Sequence, residues 1–206
     1  MAWKRWFVLL LALWAPRAWA HKFEHPTVLR LGLRDGELLL SVVYDLNPGD
    51  ESKQLRGLFD RDGNGSLDES ERAKILDYLV RTVELWLKLR LDGAPLRLEK
   101  AQIQGTHLDS PPGSTESLGI SILYKASIPV RAALRLEVED RDKDAEKVVP
   151  LTLDLGPGWT LELASQGEWQ PRIRSLERVF LGPSEGLRIE LSRAALAPAA
   201  NAPGGS

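Results

Sequence analysis

Oxygen-bearing side chains crowd the stretch DRDGNGSLDESE, residues 60–71. Counted from Asp60, positions 1, 3, 5, 7, 9 and 12 hold Asp60, Asp62, Asn64, Ser66, Asp68 and Glu71, with Gly65 at position 6. Donors of this kind suit a hard divalent cation, above all calcium, which takes about six to eight oxygens in a roughly pentagonal-bipyramidal shell. Asp60, Asp62 and Asn64 would each offer a side-chain oxygen as the chain coils round the ion. Ser66 would use its backbone carbonyl, Asp68 would act through a water, and Glu71 would close the shell with both carboxylate oxygens. Gly65 suits the sharp turn because it takes a positive φ that a β-carbon penalises.

This spacing resembles an EF-hand calcium loop, with every ligand position and the glycine filled. The resemblance implies a helix on either side and, at position 8, an apolar Leu67 on a short strand between paired loops. The flanks suit it. Leu55, Leu58 and Phe59 recur at helical spacing before the loop, with Asp50 as an N-cap after the Pro48-Gly49 turn. After it, Asp68 and Glu71 form a capping-box-like start, and Leu76, Leu79, Val80 and Val83 give an exiting helix its buried side. Arg72 departs from the family, which has an apolar residue just after the last ligand; that loosens packing rather than coordination. Without an ion the stretch would be an acidic, glycine-rich turn between helices, and capping alone would account for Asp68.

Residues 1–20 read as a signal peptide outside the fold. Lys4 and Arg5 form a positive start, Trp6 to Trp14 an apolar run too short to span a bilayer, and Ala18-Trp19-Ala20 a cleavage site. Export to the periplasm or beyond is expected. The chain has no cysteine, so neither a lipid anchor on one nor a disulfide framework is available. Removing Lys4, Arg5 and Arg17 from 27 basic residues leaves 24 against 29 acidic, a net charge of −5. Mild acidity spread along the chain argues against nucleic acid or an anionic membrane as partner. No second apolar run approaches a membrane span.

Cleavage would place His21 first, with His25 four residues later. A free α-amine and the His21 ring can chelate copper or nickel, with His25 as a further ligand. Copper-resistance proteins of the CopC type are similar in beginning their mature chain with histidine on a β-sandwich. The alternative function is therefore a periplasmic copper or nickel carrier.

From Thr27 the apolar pattern has period two: Leu29, Leu31 and Leu33, then a turn at Asp35-Gly36, then Leu38, Leu40, Val42 and Tyr44. The helix–loop–helix unit interrupts at about residues 48–81. Alternation resumes with Val83, Leu85, Leu87, Leu89 and Leu91, turns at Asp92-Gly93-Ala94-Pro95, and continues over Leu96 to Ile103. Leu118, Ile120, Ile122, Tyr124, Ala126 and Ile128 make the longest clean run, followed by Leu134, Leu136 and Val138, then Val149 to Leu155. Trp159 to Leu163 is a short further strand, and Arg172 to Leu181 with Leu187 to Leu191 a final hairpin. Eight or nine short strands imply an antiparallel, immunoglobulin-like β-sandwich over residues 21–193, with the EF-hand inserted between the second and third strands. The tail, residues 194–206, has too little to bury and is expected to be disordered.

Asp140, Asp142 and Asp144 imitate half a calcium loop, but Ala145 takes the glycine position and Leu151 the last-ligand position, so a solvated turn is expected there. Nothing marks an enzyme: there is no cysteine and no G-x-S-x-G. Trp86, Trp159 and Trp169 could form a carbohydrate platform, although packing is the commoner fate of tryptophan. The layout also resembles the extracytoplasmic region of HupE/UreJ-type hydrogenase and urease accessory proteins. The likeness lies in a histidine after the signal peptide, a strand pair, the LFDRDGNGSLDESE insertion and the DGAPL turn. The transmembrane helices of those proteins are missing from this sequence. The expectation that follows is an exported, non-enzymatic β-sandwich binding one Ca2+, in a structural or low-affinity sensing role.

Overall fold

The computed structural model describes residues 27–34, 36–140, 149–166, 179–181 and 186–194. Strand β1 (Thr27–Arg34) turns at Gly36, φ 74°, into β2 (Glu37–Leu46). Two helices follow, α1 (Asp50–Phe59) and α2 (Glu69–Trp86). The chain then runs through β3 (Leu87–Leu91), β4 (Ala94–Pro95), β5 (Glu99–Thr106), β6 (Leu118–Ser127) and β7 (Ala133–Asp140). It ends with β8 (Val149–Leu155), β9 (Trp159–Gln166), β10 (Val179–Leu181) and β11 (Gly186–Arg193).

These strands form two sheets, ordered β10-β8-β1-β2-β6-β5 and β4-β3-β7-β11-β9, so the protein is mainly β with two helices between β2 and β3. Period-two patterning puts one row of each strand inward. Leu40 lies opposite Tyr124, Val42 opposite Ile122 and Tyr44 opposite Ile120, all buried. Leu134, Leu136 and Val138 of β7 and Leu187, Ile189 and Leu191 of β11 belong to the same core, as do Leu55, Leu67, Ile75, Leu79 and Val83 from the helical connection. One apolar core therefore joins both sheets and the helix pair, and it fixes the position of the loop between the helices. No helix among the described residues is long and apolar enough to cross a membrane.

The structure corrects several expectations. Helix α2 runs on to Trp86, where a strand was expected from Val83. Ile75, Leu79, Val83 and Trp86 form a buried helical stripe while Leu85 is 75% exposed; a strand would have put Leu85 on the same side as Val83. Asp50 is the first helical residue of α1, and Gly49 is its cap without a side-chain bond. The run Leu96–Ile103 is not one strand, because β4 belongs to one sheet and β5 to the other, so Leu96–Leu98 cross between them. β10 and β11 are not a hairpin: β10 pairs with β8 and β11 with β7 and β9, in different sheets. The pairing is not wholly antiparallel either, since β1 and β8 run parallel. Alternation carries no strand direction, so none of these partners was readable locally. The signal peptide, His21, His25, Asp142, Asp144, Trp169 and the tail beyond Ala194 lie outside the described residues.

Candidate metal centre

The α1–α2 connection is built by short-range hydrogen bonds that follow from its sequence. α1 stops at Asp60, whose backbone N–H donates to the Arg56 carbonyl at 3.1 Å. Gly63 and Gly65 then take φ of 65° and 77°, left-handed positions that glycine occupies without a β-carbon clash. Between them, Asx-type turns fold the chain back. The Asn64 N–H donates to Asp62 Oδ1 at 3.1 Å, and the Ser66 N–H donates to Asn64 Oδ1 at 2.8 Å. Leu67 is buried in the core and pins the far side of the loop.

Asp68 caps α2. Its Oδ1 accepts the Glu71 N–H at 2.8 Å, and its own N–H donates to Glu71 Oε2 at 3.1 Å, a reciprocal capping box. Glu71 Oε1 accepts the Arg61 N–H at 2.8 Å. Glu71 is only 4% exposed, so both its oxygens are fixed between the two ends of the loop, each with lone-pair capacity left over.

Asp60, Asp62 and Glu71 converge, each offering a carboxylate oxygen within 4.8 Å of the others. Asp60 Oδ2 accepts the Gly65 N–H at 3.2 Å, whereas Asp60 Oδ1 is shut off from solvent with no hydrogen-bond partner. A buried acceptor left unpaired is costly, and three carboxylates at this separation repel one another. A divalent cation among them would satisfy the orphaned oxygen and turn repulsion into attraction. The all-oxygen donor set fits a hard ion such as calcium or magnesium better than a metal preferring sulfur or imidazole.

Of the six expected ligand residues, three therefore form the acidic cluster. Asn64 and Ser66 lie in the same loop, with the Asn64 amide nitrogen also donating to Asp62 Oδ2 at 2.6 Å. The Asp68 carboxylate is used as a helix cap. His107 lies apart in the β5–β6 connection, its Nδ1 3.2 Å from the Ser117 carbonyl.

Arg56 is the residue that sequence reasoning missed. It lies one helical turn before Asp60 and is fully buried, where Leu58 was expected inside and is instead 76% exposed. Its Nη1 donates to the carbonyls of Ser114 and Glu116 at 3.2 and 2.8 Å, and its Nη2 to those of His107 and Ser117 at 3.0 and 2.9 Å. Burial lowers its pKa, and the Glu116 and Asp109 carboxylates oppose that. The Gly49 N–H also donates to the Thr115 carbonyl at 2.8 Å, so α1 is fastened to the β5–β6 connection at both ends. No local signal pointed to this, because the acceptors lie 51 to 61 residues downstream. At the C-terminal end of α1, Phe59 meets Tyr78 of α2, ring centroids 5.9 Å apart.

The sequence matches no protein-family model, and no curated protein is detectably similar to it.

Proposed function

We propose that this protein binds one calcium ion through an EF-hand-type loop, Asp60–Glu71, inserted in an exported, immunoglobulin-like β-sandwich. In this reading Asp60, Asp62 and Glu71 are the charged ligands, Asn64 and the Ser66 carbonyl complete the shell, and Asp68 acts mainly as the cap that aims Glu71. The observation that carries it is the convergence of three carboxylates around a buried Asp60 oxygen with no partner. Two further features support it. Backbone N–H groups already hold Glu71 in a two-oxygen presentation, and the loop is anchored through Leu67, Phe59 and Arg56 to the core and the β5–β6 connection. A loop with three charged ligands and no paired partner loop belongs with extracellular calcium modules, whose dissociation constants are about 10⁻⁴ to 10⁻³ M. The role is structural or a low-affinity response to external calcium.

The test is calorimetric titration of metal-stripped protein with calcium, magnesium and copper in separate runs. Saturable calcium binding at one equivalent, weaker for magnesium, is the expected result. Copper binding with no calcium response would reject this assignment and favour chelation by His21 and His25.

A further inference from the structure

The two helices that present the acidic loop are held in different ways. α2, which carries Glu71, buries Ile75, Leu79, Val80, Val83 and Trp86 in the core. α1, whose C-cap is Asp60, buries only Ser52, Leu55 and Arg56, so Leu55 is its one buried apolar side chain. Polar bonds set its place instead. Arg56 donates to the carbonyls of His107, Ser114, Glu116 and Ser117, and the Gly49 N–H donates to that of Thr115. Arg56 also reaches the site directly, because its own carbonyl accepts the Asp60 N–H at 3.1 Å.

The β5–β6 connection on the other side of those bonds is lightly held. His107, Asp109, Pro111, Gly113, Thr115 and Glu116 are exposed, and Leu108 is only partly buried against the core. Its own hydrogen bonds are local. The Ser110 N–H donates to the His107 carbonyl at 3.4 Å, the Ser114 N–H to the Pro111 carbonyl at 2.8 Å, and the Glu116 N–H to Ser114 Oγ at 3.2 Å. Segments with little buried apolar surface open locally, at a lower free energy than global unfolding. Opening here would release Arg56 and with it the Asp60 side of the site, while Glu71 stays with the core. An ion that needs Asp60 and Glu71 together therefore favours the closed arrangement, and it can shift the equilibrium only by that preference.

We propose that calcium occupancy is transmitted through Arg56 to the β5–β6 connection, which makes residues 107–117 the calcium-responsive surface of the protein and Arg56 a positioning residue for the site. The inference rests on the calcium reading. By reciprocity, whatever holds the connection closed tightens calcium binding by the same factor.

The test is amide hydrogen exchange followed by NMR, on metal-stripped protein in chelator and in calcium, with calorimetry on the same sample. In about 10 mM calcium, exchange at Ser110, Ser114 and Glu116 should slow by the linkage factor, about 10- to 100-fold for dissociation constants of about 10⁻³ to 10⁻⁴ M. In both conditions these amides should exchange faster than those of β7. Arg56→Lys keeps the charge but cannot span four carbonyls, so it should bind calcium at least about fivefold more weakly although Arg56 is not a ligand. The exchange comparison uses the parent chain alone and needs no variant to fold. Calcium binding with less than about threefold slowing at the three amides would overturn the coupling and leave the calcium assignment standing. Exchange at the β7 rate would also overturn it, since the connection would then have no opening of its own for calcium to control. Equal calcium affinity in Arg56→Lys would do the same. No calcium binding at all would reject the calcium assignment, and this inference with it.

Discussion

Replacing Glu71 by glutamine separates the two roles of its carboxylate. In metal-free protein the change removes repulsion between Glu71 and Asp60, whose oxygens lie within 4.8 Å. At that distance and an effective dielectric near 20, two unit charges repel by about 3.5 kcal/mol. Against this, an amide nitrogen cannot accept the N–H of Arg61 or Asp68, and an unsatisfied donor costs about 1–3 kcal/mol. The difference, about 0.5–2.5 kcal/mol, favours the metal-free variant, which should melt about 1–10 °C above the parent, since 1 kcal/mol is worth about 2–4 °C at this chain length. Calcium should tell them apart. For a dissociation constant of about 10⁻⁴ to 10⁻³ M, 10 mM calcium is about 10 to 100 times that constant. Linkage then stabilises the parent by about 1.4–2.7 kcal/mol, a rise of about 3–11 °C. Loss of a direct ligand should weaken binding by at least about 100-fold, more than outer-shell losses do. The variant would then gain less than about 0.5 kcal/mol, or under about 2 °C. The assay is thermal unfolding followed by circular dichroism, in chelator and in 10 mM calcium. A calcium-induced rise of the parent's size in Glu71→Gln would refute the reasoning, because Glu71 could not then be a ligand.

Two other substitutions probe how the loop is held. Asp68→Ala should cost about 1 kcal/mol of stability through loss of the cap, but reduce calcium affinity less than Glu71→Gln does; denaturant unfolding and calorimetry on one sample read both, and a larger affinity loss at Asp68 would make it a direct ligand. Arg56→Met should destabilise by at least about 3 kcal/mol in urea unfolding, because four carbonyls lose a charged donor, and Arg56→Lys should rescue little, because an ammonium cannot span four acceptors as the planar guanidinium does. A neutral Arg56→Met would show that solvent can reach those carbonyls once the side chain is shortened.

Some of this is local chemistry and some is not. The spacing of Asp60, Asp62 and Glu71, the glycines at 63 and 65 and the Asp68–Glu71 capping box act over a dozen residues, so the sequence carries them. The run from Leu118 to Ile128 likewise states its own buried face, and every expected position in it is buried. Residues 83–86 are ambiguous by pattern alone, because Val83, Leu85 and Leu87 satisfy a period of two as well as a helical stripe can be drawn through Val83 and Trp86. The helix wins because it seats Trp86 in the core and leaves Leu85 in solvent.

What the sequence determined by itself is a mainly β chain with an acidic, glycine-broken loop between two helices, since periodicity, turns and caps are short-range effects. Only the tertiary structure decided which strands pair, that β1 and β8 run parallel, that β10 and β11 part into different sheets, and that Arg56 is buried against the carbonyls of residues 107 to 117. These depend on groups brought together from distant parts of the chain, and alternation along a strand specifies a face but neither a partner nor a direction.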